Sequence, residues 1–283
     1  MEIMDKNINQ EWEAEVQKDK RFQFGENWKS YASTLSTEAI EVAQDALTSF
    51  LGDITNKTFL DIGSGSGLHS LAARNLKASV YSFDYDHNSV ECTRNLHDKF
   101  YPGDTSWTVT QGSILDKDFV KSLGQYDIVY SWGVLHHTGS MWEAIQNAMS
   151  LAKKDGLFFI AIYNKQGWKS RFWWHIKNIY HKLPGFTKKG YALTLGVTFQ
   201  VINIVKYTLL LKPQVAIKPL LNYRKNRGMS IKHDIIDWIG GFPYEYATTE
   251  ELNDFCKKNG FVVVKEIKTG SLGCNQVVYK KLI

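Results

Sequence analysis

Cysteine is scarce in this chain of 283 residues and is scattered along it. The three cysteines, Cys92, Cys256 and Cys274, form no CxxC motif and no Cys/His cluster, so we expect neither a disulfide framework nor a structural zinc site. The first residues, MEIMDKNINQEWEAEV, lack the apolar run of a secretory signal. Both absences favour a reducing, cytoplasmic location.

Acidic residues are missing from one long segment. Residues 164–233 contain fourteen Lys and Arg residues and no Asp or Glu, which leaves 20 of the 34 basic residues and all 29 acidic ones to the rest of the chain. A basic segment therefore lies within an acidic protein. Its charge favours an anionic acceptor or an anionic lipid surface as a partner, and solvated lysines on a cap are the simpler interpretation.

Short apolar runs alternate with helical patterns through the first half of the chain. A capped amphipathic helix is predicted over residues 36–51, and a second over 141–156, ending in a lysine pair and a glycine. The apolar runs between and after them are 58–62, 79–83, 107–110, 126–131 and 157–163. Such alternation predicts a parallel sheet that is covered by helices on both faces.

The alternation resumes near the end of the chain. Thr248 and Glu251 form a capping-box pattern at the start of a predicted helix, and Gly260 marks its end. Two strands, FVVVKEI and QVVYKKL, follow with no helix between them, which predicts an antiparallel edge. We therefore divide the chain into an N-terminal helical lid segment (1–56), a Rossmann-like domain (57–163 and 247–283) and a basic, mainly helical cap insertion (164–246).

The turn after the first predicted strand, in FLDIGSGSG, has three glycines at every second position and an aspartate before them. A pyrophosphate-binding turn has the spacing GxGxxG, and Asp61 would repel a phosphate but attract an amino group. Asp84 ends the second strand, where it is placed to accept hydrogen bonds from both ribose hydroxyls. These residues suit a nucleoside that carries an amino acid and no phosphate.

At these residues the sequence resembles class I S-adenosylmethionine-dependent methyltransferases, over about 58–163 and again from 247 to the end. DIGSGSG resembles the first motif of that family, Asp84 its ribose-binding acid, and GLFFIAIYN its fifth-strand motif. The resemblance implies an α/β fold with a doubly wound, mostly parallel, seven-stranded Rossmann-like sheet. The implied strand order is 3-2-1-4-5-7-6 with the last strand antiparallel, and the cap insertion follows strand 5.

The resemblance also implies S-adenosyl-L-methionine as the cofactor and places residues around it. Asp61, Gly63 and Gly65 would face the methionine moiety and Asp84 the ribose. Many members have a Gly-Asp pair at the adenine, where this chain has Gly112 and Ser113. The cofactor-binding residues expected are Asp61, Gly63, Ser64, Gly65, Gly67, Asp84, Tyr85, Gly112, Ser113, Ile114 and Ser131.

Two adjacent histidines follow the fourth strand, where this family gathers residues that contact the acceptor. His136 and His137 are the leading candidates for the base, with Tyr163 at the end of the fifth strand as a third catalytic candidate. The alternative for either histidine is to cap the next helix or to bond a backbone carbonyl, and the alternative for Tyr163 is packing. No HExxH motif or carboxylate cluster lies nearby, so we expect metal-free methyl transfer.

Residues outside the sheet are expected to line the acceptor site. Trp28 and Tyr31 belong to the N-terminal lid, and Tyr244 and Glu245 lie where the chain returns to the sheet. Residues 190–211 are nearly long enough to span a bilayer, but the strands before and after them join one sheet. This segment is therefore expected to roof the acceptor site or to lie in a membrane interface.

The sequence favours a methyltransferase that acts on a small molecule, at oxygen or else at sulfur, with an anionic acceptor favoured by the charge. DNA and RNA bases are not expected as acceptors, because SWGV stands where base-methylating members carry an NPPY-type sequence. The alternatives are a nicotinamide oxidoreductase, a membrane or nucleic-acid binding protein on an idle methyltransferase fold, and a methyltransferase for a lipid or quinone-like acceptor at the membrane surface.

Overall fold

A seven-stranded sheet forms the centre of the computed structural model, which describes residues 2–18, 21–25, 28, 35–221 and 231–282. The strands are β1 (Thr58–Ile62), β2 (Ser79–Asp84), β3 (Trp107–Gln111), β4 (Tyr126–Trp132), β5 (Ala152–Tyr163), β6 (Phe261–Ile267) and β7 (Cys274–Lys281). Their order is β3-β2-β1-β4-β5-β7-β6. The predicted fold class and strand order are confirmed.

The register brings the carboxyl ends of β1, β2 and β4 to one edge. β1 pairs with β2 and with β4 in parallel, and Asp61 lies beside Ser82 and Tyr130. β7 runs antiparallel between β5 and β6, as the two adjacent final strands predicted. The strand order reverses between β1 and β4, so the crevice of this sheet lies at their carboxyl ends.

Helices cover both faces of the sheet and extend beyond it. Their bounds are α1 (Glu2–Gln17), α2 (Thr37–Leu51), α3 (Leu68–Asn75), α4 (His87–Phe100), α5 (Lys117–Ser122), α6 (Met141–Ser150), α7 (Trp168–Lys182), α8 (Gly185–Leu209), α9 (Gln214–Leu221), α10 (Ile231–Gly240) and α11 (Thr249–Lys258). One core cluster centres on β1, β4, α6 and α11, and the other packs α2, α3 and α4 against the opposite face. The hydrophobic effect thus stabilises the sheet from both sides.

Local signals set most helix boundaries. Ser36 accepts a hydrogen bond from the amide of Ala39 at the start of α2, and Gly52 ends the helix with φ of 74°. Thr248 and Glu251 form the capping box in both directions at the start of α11. These boundaries follow the sequence pattern.

The predicted helix over 141–156 is too long, because α6 ends at Ser150 and β5 begins at Ala152. Ala152 pairs with Tyr126, and an irregularity follows before Leu157 pairs with Ile128. Lys153 bonds Asp127 through its Nζ atom at 3.1 Å, and Asp155 has φ of 61°. Strand pairing with β4 therefore overrides the helical pattern that the lysine pair suggested.

In the described parts of the segment between β5 and α11, residues 164–221 and 231–248, the chain forms the four helices α7 to α10. Trp173, Tyr180, Ala192, Ile239 and Tyr244 form a third core cluster among α7, α8, α10 and the chain that returns to the sheet. The two ends of this segment meet. The amide of residue 165 donates to the carbonyl of 247, and the amide of 247 donates to the carbonyl of 163, at 3.1 Å each. The division of the chain into lid, Rossmann-like domain and cap insertion stays a prediction.

One helix in the described part of the chain, α8, is long and apolar enough to cross a membrane, and about 11% of its apolar window is buried. Only Ala192 and Gly196 are fully buried along its length. Length and composition alone are weak grounds for a membrane span.

Replacing Thr248 with Ala should lower the free energy of unfolding by about 1 kcal/mol, because the substitution removes the hydroxyl that accepts from the Glu251 amide. Urea unfolding followed by circular dichroism measures the change. The exposed Thr105→Ala variant is the control and should unfold as the unmodified chain does. Equal stability of both variants would show that the box contributes nothing.

Candidate active site

The glycine turn after β1 is held by contacts within the protein. Gly63, Gly65 and Gly67 have φ values of 76°, 54° and 81°, a left-handed region that side chains disfavour. A Cβ atom on Gly63 would lie 2.4 Å from the Val134 side chain, and one on Gly67 would lie 2.9 Å from the Cα atom of Thr93. The loop after β4 therefore packs directly on the turn, and only glycine allows that approach.

Two carboxylates flank this turn. Asp61 is 2% exposed and accepts a short hydrogen bond of 2.5 Å from the Ser70 hydroxyl. Asp84 accepts from the amide of Gly65 on one oxygen and from the amide of Asp86 on the other, both at 2.9 Å. The backbone of the turn thus orients the acid at the end of β2.

Burial makes these carboxylates hard to ionise. It raises the pKa of Asp61 to about 6, against the opposing effect of the Ser70 bond. Burial, and then the charge of Asp86, raise the pKa of Asp84 to about 7, and the charge of Asp61 adds to the rise. Among the described residues neither carboxylate has an ion-pair partner. A cation bound beside these acids would favour their ionised forms.

The other residues expected at the cofactor lie nearby, most with partners inside the protein. Ser131 donates to the carbonyl of Ile62 at 3.1 Å, and Ser64 shares a 2.9 Å hydrogen bond with Thr93. A Cβ atom on Gly112 would lie 2.1 Å from the Phe119 ring. Glycine is therefore needed at this position because the Phe119 ring packs against its backbone.

Three further residues of the expected set lie at the ends of β2 and β3. The Ser113 hydroxyl accepts from the amide of Leu115 at 3.2 Å. Ile114 is 6% exposed and belongs to the core cluster of β1 and β4. Burial raises the pKa of the Tyr85 hydroxyl to about 12, so this side chain is a neutral phenol.

Residues 21–25 and Trp28, which we call the N-terminal strip, lie at the mouth of the crevice. Arg21 stacks over the Tyr85 ring at 4.9 Å and donates to the carbonyl of His137 at 2.9 Å. The amide of Gly25 donates to Asp86 at 2.8 Å, and the Trp28 indole lies against Gly65. The strip thus links the ends of β2 and β4. Tyr31 lies outside the described residues.

The two histidines have opposite tautomers when neutral. The Nδ1 atom of His137 lies 2.6 Å from the carbonyl oxygen of Pro243, which can only accept, so Nδ1 carries the proton and Nε2 a lone pair. The Nδ1 atom of His136 accepts from the amide of Tyr163 at 3.4 Å, so its proton is on Nε2, which has no hydrogen-bond partner among the residues that the structure describes. His137 therefore presents an acceptor and His136 a donor.

A buried lysine lies near both histidines. Lys177 is fully buried, donates to the carbonyl of Trp238, and lies 4.9 Å from the centre of the Tyr244 ring. Burial lowers the pKa of Lys177 to about 7. Burial, and then the charge of Lys177, lower the pKa of His137 to about 3; burial likewise lowers that of His136. Both imidazoles are therefore neutral at pH 7.

Aromatic rings join the histidines to the helices beyond β5. The Tyr163 ring lies 3.9 Å from the His136 ring and 5.3 Å from the Tyr244 ring, measured between centroids. Glu245 is directed elsewhere: both carboxylate oxygens accept from the amide of Met141 at 3.1 Å. Its carboxylate thus caps the start of α6, where an anion is favoured by the helix dipole.

Sequence reasoning missed Arg21, Asp86 and Lys177 as individual site residues. A signal for Lys177 was present, because it follows Trp173 by four residues and precedes Tyr180 by three on the same helix face. Arg21 has no such signal, since its contacts with Tyr85 and His137 join distant parts of the chain. Among the described residues, no group of three or more His, Cys, Asp or Glu side chains is arranged to hold a metal ion.

A family model described as "Methyltransferase domain" matches residues 33–194 of the chain. A ubiquinone biosynthesis O-methyltransferase of Glaesserella parasuis is 28% identical over 120 residues, which are 41% of this chain and 51% of that protein. A ribosomal protein L11 methyltransferase of Helicobacter hepaticus is 37% identical over 78 residues, or 27% of this chain and 23% of that one. The chain thus spans about half the length of the first relative and less of the second.

Solved structures share the fold at low identity. Magnesium protoporphyrin IX methyltransferase from Synechocystis, with bound S-adenosylhomocysteine, has a TM-score of 0.51 at 15% identity and covers 86% of this chain and 82% of its own. PKMT2 from Rickettsia typhi, in complex with the same compound, has a TM-score of 0.57 at 13% identity, over 88% of this chain and 54% of its own. These likenesses concern the fold.

Replacing Asp84 with Asn should flatten the dependence of stability on pH. Because the folded-state pKa of Asp84 is raised to about 7 from 3.8, the folded protein binds more protons than the unfolded chain between about pH 4 and 7. Its contribution to stability is therefore lost as the pH rises through that window. Urea unfolding at about pH 5 and pH 7.5 should give a smaller difference for the variant. The exposed Asp45→Asn variant is the control, and an unchanged difference for Asp84→Asn would contradict the raised pKa.

Proposed function

The chain belongs to the methyltransferase domain family, and from that premise we propose that it transfers a methyl group from S-adenosylmethionine to a small-molecule acceptor, with oxygen favoured. The proposal depends most on one observation, the two carboxylates at the ends of β1 and β2 whose pKa values are raised mainly by loss of solvation. A ligand with a cationic amino group and two ribose hydroxyls satisfies both. A pyrophosphate would add further repulsion.

The residues of the crevice fit this cofactor. Asp61 would bind the amino group, Asp84 would accept from the ribose hydroxyls, and Trp28 would close the site over the glycine turn. Gly112, Ser113 and Ile114 follow β3, where the adenine is expected, and the burial of Ile114 makes it the edge of an apolar wall there. The bound cofactor supplies an electrophilic methyl group on a sulfonium.

His137 is proposed as the base. Its Nδ1–H bond to Pro243 fixes the ring, which leaves the Nε2 lone pair to take the proton of an acceptor hydroxyl. Burial, and then the charge of Lys177, lower the pKa of this imidazole, so an anionic acceptor beside Lys177 would offset the second effect and make His137 a stronger base. Binding of the acceptor would thus prepare its own deprotonation.

The acceptor site is proposed between the histidines and the helices beyond β5. The Nε2–H donor of His136 and the cation of Lys177 would bind an anionic or carbonyl oxygen, and Tyr163 and Tyr244 would contact an unsaturated ring. The placement of Glu245 as the cap of α6 favours a positioning role for it. The name of the Glaesserella relative, an O-methyltransferase, supports oxygen as the methylated atom.

A second candidate function is methylation of a lipid or quinone-like acceptor at a membrane surface. The exposed apolar residues of α8 favour it over a purely aqueous substrate. A cytoplasmic location suits both candidates. No described feature favours a nicotinamide oxidoreductase or a role at nucleic acid.

Isothermal calorimetry with S-adenosylmethionine and with S-adenosylhomocysteine tests the cofactor. Release of S-adenosylhomocysteine in the presence of a panel of phenols, carboxylic acids and quinols then tests the acceptor class. A chain that binds neither nucleoside, or that binds a dinucleotide equally well, would contradict the proposal.

The affinity for S-adenosylmethionine should rise between about pH 5.5 and pH 7.5, because the cationic ligand favours the ionised forms of Asp61 and Asp84, whose pKa values are about 6 and about 7. Asp84→Ala should weaken binding by about tenfold or more. Calorimetry at several pH values checks both expectations. The exposed Asp118→Ala variant should bind normally, and full affinity of Asp84→Ala would refute the ribose assignment.

His137→Ala should lower kcat by about a hundredfold or more and leave the affinity for S-adenosylhomocysteine within about twofold, since the base acts on the acceptor. His136→Ala should lower kcat less, because its Nδ1 atom accepts from the backbone. Steady-state rates with an acceptor from the panel, together with calorimetry, separate the two effects. The opposite ranking of the two variants would exclude His137 as the base.

A further inference from the structure

The second half of α8 and the turn after it present an exposed apolar surface. We define the apolar face as Val201, Ile202, Val205, Leu209, Leu210 and Leu211. Leu209, Leu210 and Leu211 are 79%, 56% and 87% exposed, which is unusual for three consecutive leucines. The first half of the helix is anchored instead: a Cβ atom on Gly196 would lie 2.4 Å from the Ile235 side chain of α10.

Two exposed threonines of this helix use their hydroxyls within it. The hydroxyls of Thr198 and Thr208 each donate to the carbonyl four residues earlier, at 2.8 Å. This bond satisfies the hydroxyl within the helix and leaves the methyl group to face outward. The exposed threonines therefore add little polarity to the apolar face.

The positive charge beside the apolar face indicates the kind of partner that covers it. Lys206, Lys212 and Lys218 are exposed beside it, and the segment from 164 to 233 has no acidic residue. A second copy docked on the same face would bring these cations together, which is unfavourable. An anionic lipid surface offers apolar chains to the leucines and negative headgroups to the lysines.

We propose that the apolar face inserts into the interface of an anionic lipid bilayer, with the three leucines deepest and the lysines at the headgroups. The helix lies in the membrane plane and does not span, because α9 and α10 both return to pack on α8. This inference does not depend on the proposed methyl transfer, and its test needs no activity.

Co-sedimentation of the full chain with sucrose-loaded vesicles tests the proposal. Vesicles of phosphatidylcholine with about one third phosphatidylglycerol should bind the chain at least about tenfold more tightly than phosphatidylcholine alone. Raising the salt from about 0.1 M to about 0.5 M should weaken this binding. Equal binding to both vesicle types, or binding to neither, would overturn the proposal.

Two variants locate the contact. Leu209→Ser/Leu210→Ser/Leu211→Ser should lower vesicle binding about tenfold or more, and Lys206→Gln/Lys212→Gln/Lys218→Gln should lower it and weaken its salt dependence. The matched control Lys57→Gln/Lys99→Gln/Lys257→Gln removes the same charge from exposed sites elsewhere and should bind as the unmodified chain does.

Circular dichroism checks that each variant is folded, and sedimentation velocity without lipid tests the alternative occupant. A monomer supports the proposal. A dimer that the leucine variant abolishes would assign the apolar face to a second copy and overturn it, as would leucine variants that bind vesicles undiminished.

Discussion

Loss of solvation at two carboxylates governs the electrostatics of the crevice. Asp61 and Asp84 come from neighbouring parallel strands, so the register that stabilises the sheet also forces them together. The hydrogen bonds of Ser70 and the Gly65 amide orient the two groups without neutralising them. The fold thus stores an unfavourable electrostatic interaction where a cationic ligand would relieve it, which is a common feature of binding sites.

The residues at this edge of the sheet come from two parts of the chain, the strand ends and the segment between β5 and α11. The glycine turn and Asp84 belong to the sheet, whereas Lys177 and the Pro243 carbonyl that fixes His137 come from the segment between β5 and α11. The strip that contains Arg21 joins the two, because Arg21 contacts Tyr85 and the loop after β4 while the amide of Phe22 donates to the carbonyl of Phe242. Electrostatic coupling across this boundary connects the charge of Lys177 to the pKa of His137, which burial lowers further.

The sequence predicts those features of the fold that depend on residues close together in the chain. Periodicity and caps such as Ser36 and Thr248 locate the helices, and the absence of a helix before β7 predicts its antiparallel pairing. Lys153 was predicted to lie in a helix, because the local sequence pattern suits one. It lies in β5 instead, because this strand pairs with β4, which a local pattern does not reveal. The neutral tautomers of His136 and His137 could not be read from sequence either, since each depends on a backbone group brought near only by folding.

The hydrogen-bonded junction between residues 163–165 and 247 has a consequence for how such a protein diversifies. Because the chain leaves and rejoins the sheet at one point, a segment of another length could be grafted there at little cost in loop-closure entropy. Such an exchange would replace Lys177 and Tyr244 while β1 and β2 kept their register. The contacts that this segment makes with His137 could then change without altering the glycine turn after β1.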